Sequence, residues 1–167
     1  SMNGREDKYL WAGPYLYSRQ MVAVRMDSEI QKLKDLTGKM IAVQETSKAE
    51  EYFLRSDFEG IPDVSLVYCF SNMDEVFAAL RKNYVEAICG HESALISFIN
   101  TAPDEYRLLD ESFLYSALGV AFDIQYDEEF VEKLFKTLGD MMNDGTIAAI
   151  VGKYGLDAEK SLGRGND

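Results

Sequence analysis

Three nearly continuous apolar runs, Met40-Ile41-Ala42-Val43, Val64 to Cys69 and Ala87-Ile88-Cys89, recur along the chain, each followed by a stretch with helical spacing. Apolar runs without alternation predict strands buried on both faces. After the first run, Ala49, Tyr52 and Phe53 fall on one helical face. After the second, Asn72 is placed to cap a helix carrying Val76, Phe77 and Leu80. After the third, Leu95, Ile96 and Ile99 repeat the pattern. Three alternations of strand and helix with short connections predict a parallel sheet covered by helices on both faces. Ligands of such sheets sit beyond the carboxyl ends of the strands, where strand order reverses, so the residues just after Val43 and Cys89 are the first candidates for function.

The flanks carry further elements. Met21-Val22-Ala23-Val24 predicts a buried strand, and Asp27-Ser28 predict the cap of a short helix, Glu29 to Leu36, closed by Gly38. Leu118 to Phe122 predicts another strand. It leads into an amphipathic helix, Glu128 to Met142, with Phe130, Leu134, Phe135, Leu138 and Met141 on one face. Asn143-Asp144-Gly145 breaks that helix and Thr146 starts another, with Ile147, Ile150, Val151 and Tyr154, as far as Gly155. From Ala158 to Asp167 the chain is polar and is expected to fray. No internal repeat or low-complexity segment occurs.

Composition narrows the function classes. Of 167 residues, 47% are hydrophobic and 28% charged, enough apolar material for one good core or two small ones. Lys and Arg number 17 against 29 Asp and Glu, and the net charge of −12 repels phosphate backbones and anionic lipid, so nucleic acid is not an expected partner. No apolar run approaches the roughly 20 residues that span a bilayer. Ser1-Met2 reads as a cloning remnant, so the lack of a basic-then-apolar leader does not locate the protein. Cys69 and Cys89 read as two small buried hydrophobes, with a disulfide the alternative in an oxidising compartment. No CxxC or Cys/His ligand spacing exists, and neither a metal nor a cofactor is expected.

Several stretches, in order, resemble the amino-acid-binding family of extracytoplasmic solute-binding proteins that serve ABC transporters, a fold also used in sensor domains. Arg5 with Trp11-Ala12-Gly13-Pro14-Tyr15 is similar to the family's Arg and Phe-Ser-x-Pro-Tyr. Asp35-Leu36-Thr37-Gly38-Lys39-Met40-Ile41-Ala42-Val43-Gln44 resembles its Asp-Leu-x-Gly-Lys-x-(apolar)-x-Val segment. Val76 to Leu80 with Val85 to Ile88 resembles its Ala-Leu, loop, Asp-Ala unit. Leu118 to Phe122, and Asn143 to Gly155, resemble its last crossing and terminal helices. The match runs from Arg5 to about Leu156. It implies an α/β, periplasmic-binding-protein-like (type 2) fold with one complete three-layer α/β lobe plus a partial second lobe. Residues 1–20 would be partial first lobe and hinge, 21–113 the second lobe, 114–157 the return crossing and terminal helices of the first lobe, and 158–167 a flexible tail. The family's opening third has no counterpart. Either the parent chain is longer or the first lobe is reduced, and a reduced lobe would expose the 128–142 helix and favour a homodimer.

The resemblance also implies site residues. Arg5 would hold a ligand carboxylate in a two-pronged grip, the alternative being a solvated Arg beside Glu6 and Asp7. Thr46 and Ser47 lie where a loop and helix start could hold an anion, although a plain N-cap explains them as well; Thr46 and Lys48 replace family glycines. Gln44 occupies a position that faces the ligand side chain, or is a solvated strand-end amide. His91 stands where the family has its ammonium-binding Asp, with Glu92 one residue on; an imidazole is a poor counter-ion for an ammonium, and a surface or cap histidine is the alternative.

The resemblance implies a binding module, not an enzyme, for an amino acid or related small carboxylate. Its partner would be a membrane permease or the membrane-anchored signalling part of the parent chain, in an extracytoplasmic setting. The alternatives are an assembly module that has lost its ligand, and a small dehydratase using Glu92 with His91 or Lys48.

Overall fold

The structure, a computed structural model, describes Met2, residues 5–55 and residues 59–163. The chain divides into two compact units, one formed by Gln20–Leu114 and the other by Ser1–Arg19 with Tyr115–Asp167.

The continuous unit is built on the three apolar runs. They form β2 (Met40–Gln44), β3 (Leu66–Phe70) and β4 (Ala87–His91). β2 lies between the other two and is parallel to both, with Ile41 opposite Val67 on one side and Ala87 on the other. Beyond β4 runs β1 (Leu10–Arg25), antiparallel, with Gln20 opposite His91 and Val24 opposite Ala87. The full order is β3-β2-β4-β1-β5, where β5 is Tyr106–Phe122. The sheet is therefore mixed where the sequence suggested a parallel one. An apolar run is silent on strand direction, and the expected burial of both faces holds for β2 and β4 but not for β3, which is the edge of the sheet and has no buried residue.

β1 and β5 extend well past the expected Met21–Val24 and Leu118–Phe122, and each unit boundary falls inside one of them. Only the part of β1 buried on both faces is an unbroken apolar run; Leu10 to Gln20 mixes Gly, Pro, Ser and Arg with aromatics and gives no such signal.

Alternation along the strands fills two cores. Val22, Val24, Ile41, Val43, Ala87 and Cys89 point to one face, against Ile30, Leu36, Ala49, Tyr52 and Phe53. Met21, Ala23, Ala42 and Ile88 point to the other, against Val76, Leu80, Leu95 and Phe98. The helices are α1 (Lys48–Leu54), α2 (Met73–Arg81) and α3 (Glu92–Ile99). Asn72 caps α2 as expected, its Oδ1 accepting from the Glu75 N–H at 3.0 Å. Each fully buried Ile or Val contributes about 1.5–3 kcal/mol to holding sheet and helices together.

Two further expectations need correction. Residues 29–36 form only a 3-10 turn, Leu33–Leu36. Arg107 Nη2 donates to the carbonyls of Ser28 (2.9 Å) and Ile30 (2.8 Å), and Asp35 Oδ2 accepts from the N–H groups of Gln31 and Lys32, so these backbone groups are taken before a helix can use them. Of the cysteines, Cys89 is buried but Cys69 is exposed, because β3 is the edge of the sheet; both are free thiols.

In the other unit, α4 (Glu128–Asn143), α5 (Thr146–Lys153) and a short α6 (Ala158–Ser161) follow β5. Asp127 caps α4 and Gly145, at φ 87°, makes the break before α5. Ile147, Val151 and Leu162 form a small core with Tyr15, Leu16, Met141 and Met142 partly buried against it. The expected frayed tail thus begins with a helical turn; residues 164–167 lie outside the described residues. Only Val131 of α4 is buried, and Phe130 and Phe135 of its apolar face are exposed.

Candidate functional site

β2 is the strand at which order reverses: the chain leaves it to form β3 on one side and returns to form β4 on the other. At this end Gln44 terminates β2 and His91 terminates β4. Because β1 is antiparallel, it brings Gln20 directly opposite His91. These residues, with Ser47, Met73, Cys89, Gly90, Ser93 and Ala94, line a pocket of about 210 Å³. Two larger hollows, about 430 and 400 Å³, lie elsewhere on the same unit. The first, lined by Arg25, Asp27, Asp104 and Glu105 among others, is at the amino end of β4, opposite the carboxyl ends where ligands of such sheets bind.

Gln20 is fully buried. Its Nε2 lies 3.0 Å from His91 Nδ1, and its Oε1 has no hydrogen-bond partner among the described residues. With Gln20 Nε2 donating, His91 is neutral and carries its ring proton on Nε2. Packing against the ring, which keeps an exposed edge, lowers the His91 pKa from its ordinary value and favours the neutral state.

The loop after β2 is engaged with its own helix. Ser47 caps α1, its Oγ accepting from the Glu50 N–H at 3.2 Å, and Glu50 Oε2 accepts from the Thr46 N–H at 2.7 Å. Thr46 adopts φ 58°, the left-handed conformation that glycine takes without cost. Lys48 Nζ is 2.6 Å from Glu51 Oε2.

Gln44, Ser47 and His91 thus meet at one pocket, with the Gln44 Nε2 also donating to the Ser71 carbonyl at 3.3 Å. Thr46 adjoins them in sequence but is not among the lining residues. Glu92 is buried at the start of α3, already holds an interaction of its own, and does not line the pocket. Arg5 belongs to the other unit, exposed before a 3-10 turn, its carbonyl accepting from Trp11 Nε1 at 3.2 Å. The sequence reading missed Gln20. Its one signal was a polar residue directly preceding the apolar run Met21–Val24. Among the described residues no group of three or more His, Cys, Asp or Glu is placed to hold a metal, and no helix is long and apolar enough to cross a membrane.

No protein-family model matches the sequence, and no curated protein matches it significantly. Solved structures do match. An ancestral arginine-binding protein bound to arginine is 26% identical, with a TM-score of 0.70 over 91% of this chain and 66% of its own. An ancestral arginine-binding protein bound to glutamine is 25% identical, with a TM-score of 0.69 and the same coverage. A cysteine-binding protein from Campylobacter jejuni is 18% identical, with a TM-score of 0.76 over 97% of this chain and 66% of its own. The chain spans a little under two thirds of the length of these proteins.

Proposed function

Because the chain has the fold of the amino-acid-binding solute-binding proteins, periplasmic-binding-protein-like of type 2, we propose that it binds a small solute, an amino acid or related small carboxylate, and catalyses no reaction. The observation that carries the proposal is the buried Gln20 amide at the pocket beyond the carboxyl ends of β2 and β4. A buried amide atom without a partner costs about 1–3 kcal/mol, a cost that a bound solute would offset. The neighbours bind arginine, glutamine or cysteine, which supports a solute of that size. The site residues in this reading are Gln44, Ser47 and His91 at the pocket, with Arg5, Thr46 and Glu92 as further candidates. An extracytoplasmic setting and a membrane-bound partner, permease or signalling segment, belong to the same reading. The exposed Phe130 and Phe135 support self-association.

Absence of catalysis is supported by the same geometry. The acid–base set of Glu92 with His91 or Lys48 does not converge on the pocket lining, which includes neither Glu92 nor Lys48, and Lys48 is paired with Glu51. A thermal-shift screen against amino acids, small carboxylates and polyamines tests the proposal. A ligand at 100 times its Kd adds about 2.7 kcal/mol, which for a chain of this size raises Tm by roughly 5–10 °C. A shift lost in Gln20→Leu supports the pocket; no shift with any compound leaves the assembly module that has lost its ligand.

A further inference from the structure

A pocket for a free amino acid must neutralise an ammonium, and nothing in this one can. Its described lining is Gln20, Gln44, Ser47, Cys89, His91 and Ser93 with apolar neighbours, and none of these carries a formal charge when His91 is neutral. The acids nearest in sequence, Glu45 and Glu92, are not among the lining residues: Glu45 is exposed beyond the end of β2 and Glu92 is buried at the start of α3. The carboxylates of Glu50 and Glu51 accept from the Thr46 N–H and the Lys48 ammonium and do not line the pocket.

An ammonium entering such a pocket would lose its water without gaining a counter-ion, and that loss outweighs what one amide oxygen returns. An uncharged donor loses far less and still satisfies Gln20 Oε1. We therefore infer that the pocket of the continuous unit takes an uncharged hydroxyl or amide group of a small solute on Gln20 and discriminates against the ammonium of a free α-amino acid. This rests on the reading of the pocket as the solute site. Turning the Gln20 amide over exchanges its unpaired oxygen for an unpaired N–H, and a hydroxyl or an amide satisfies either.

The test is calorimetric titration of the whole chain with matched carboxylic acids. Each series bears ammonium, hydroxyl, acetamido or hydrogen on the carbon next to the carboxylate, over side chains from methyl to benzyl. The hydroxy or acetamido compound of at least one side chain is expected to bind ten-fold or more tighter than its amino and unsubstituted counterparts. In Gln20→Leu that advantage should fall to within two-fold. In Gln20→Glu, which supplies a buried carboxylate, the order should turn toward the amino compounds, and circular dichroism of both variants confirms that they are folded. Tightest binding of the amino compounds by the unaltered chain overturns this inference and leaves the solute-binding reading standing. Binding of none of the compounds overturns both.

Discussion

Gln20 and His91 face each other across the antiparallel pair β1–β4, joined by a 3.0 Å contact between Nε2 and Nδ1. The pairing uses one end of the buried amide and leaves the other unpaired at the pocket. Such an arrangement lowers the stability of the unliganded protein. Replacing Gln20 with Leu, similar in volume, removes the unpaired atom, while the partly exposed His91 can turn to water. The variant should unfold with a free energy about 1 kcal/mol higher than the parent, read from the denaturation midpoint at unchanged slope. A lower midpoint would mean that the His91 contact outweighs the unpaired oxygen.

His91 is the only histidine, which makes its titration separable from everything else. Its pKa is lowered in the fold, so the unfolded chain takes up a proton at the ordinary value near 6.5 while the folded protein resists until lower pH. Stability tied to His91 is therefore complete above that ordinary value and is lost as pH falls through it toward the folded pKa. Between pH 7 and 5, Tm should fall more steeply for the parent than for His91→Gln, and the imidazole proton resonances should titrate below 6.5.

Arg107 holds the carbonyls of Ser28 and Ile30 with a single nitrogen. Met in its place keeps the apolar stem and removes both bonds. The cost should be about 1–3 kcal/mol by chemical denaturation, and amide exchange should rise first in residues 28–32.

Gly13 and Gly119 let their strands pass unusually close. A Cβ on Gly119 would stand 2.8 Å from Met2 Sδ and 3.1 Å from both the Ala12 carbonyl oxygen and Trp11 Cε3. Met2 could give way, but a carbonyl in a strand cannot. Gly119→Val should lower stability by more than about 2 kcal/mol, whereas Gly139→Ala, with open space around it, should leave stability unchanged or slightly raise it. Equal effects in a thermal melt would refute the close approach.

The parts of this fold that could be read from the sequence are those where burial alone decides. Ile41, Val43, Ala87 and Cys89 sit in strands packed on both faces, as an uninterrupted apolar run predicts, whereas the similar run of β3 lies at the sheet edge and is mostly exposed. What could not be read depends on partners distant in sequence. Arg107 prevents a helix at residues 29–32 from 77 and 79 positions away. Gln20 reaches the pocket only because β1 aligns it with His91. That Gln44, Ser47 and His91 meet at one pocket follows from their place at the strand ends, a fixed place to look in an α/β sheet. Gln20 is a polar residue directly before the apolar run Met21–Val24, and only the register of the sheet gives it meaning.

The two units differ in how the chain assembles them. Gln20–Leu114 is one uninterrupted stretch, so all the contacts of its two cores become available once residue 114 has emerged from the ribosome. The other unit joins segments from both sides of an insertion of roughly 95 residues, and closing so long a loop is slow while that loop is disordered. Once the continuous unit has folded, the ends of that loop are held by β1 and β5, and the remaining search is short. During synthesis the continuous unit should therefore fold first, and the discontinuous one should be completed after it.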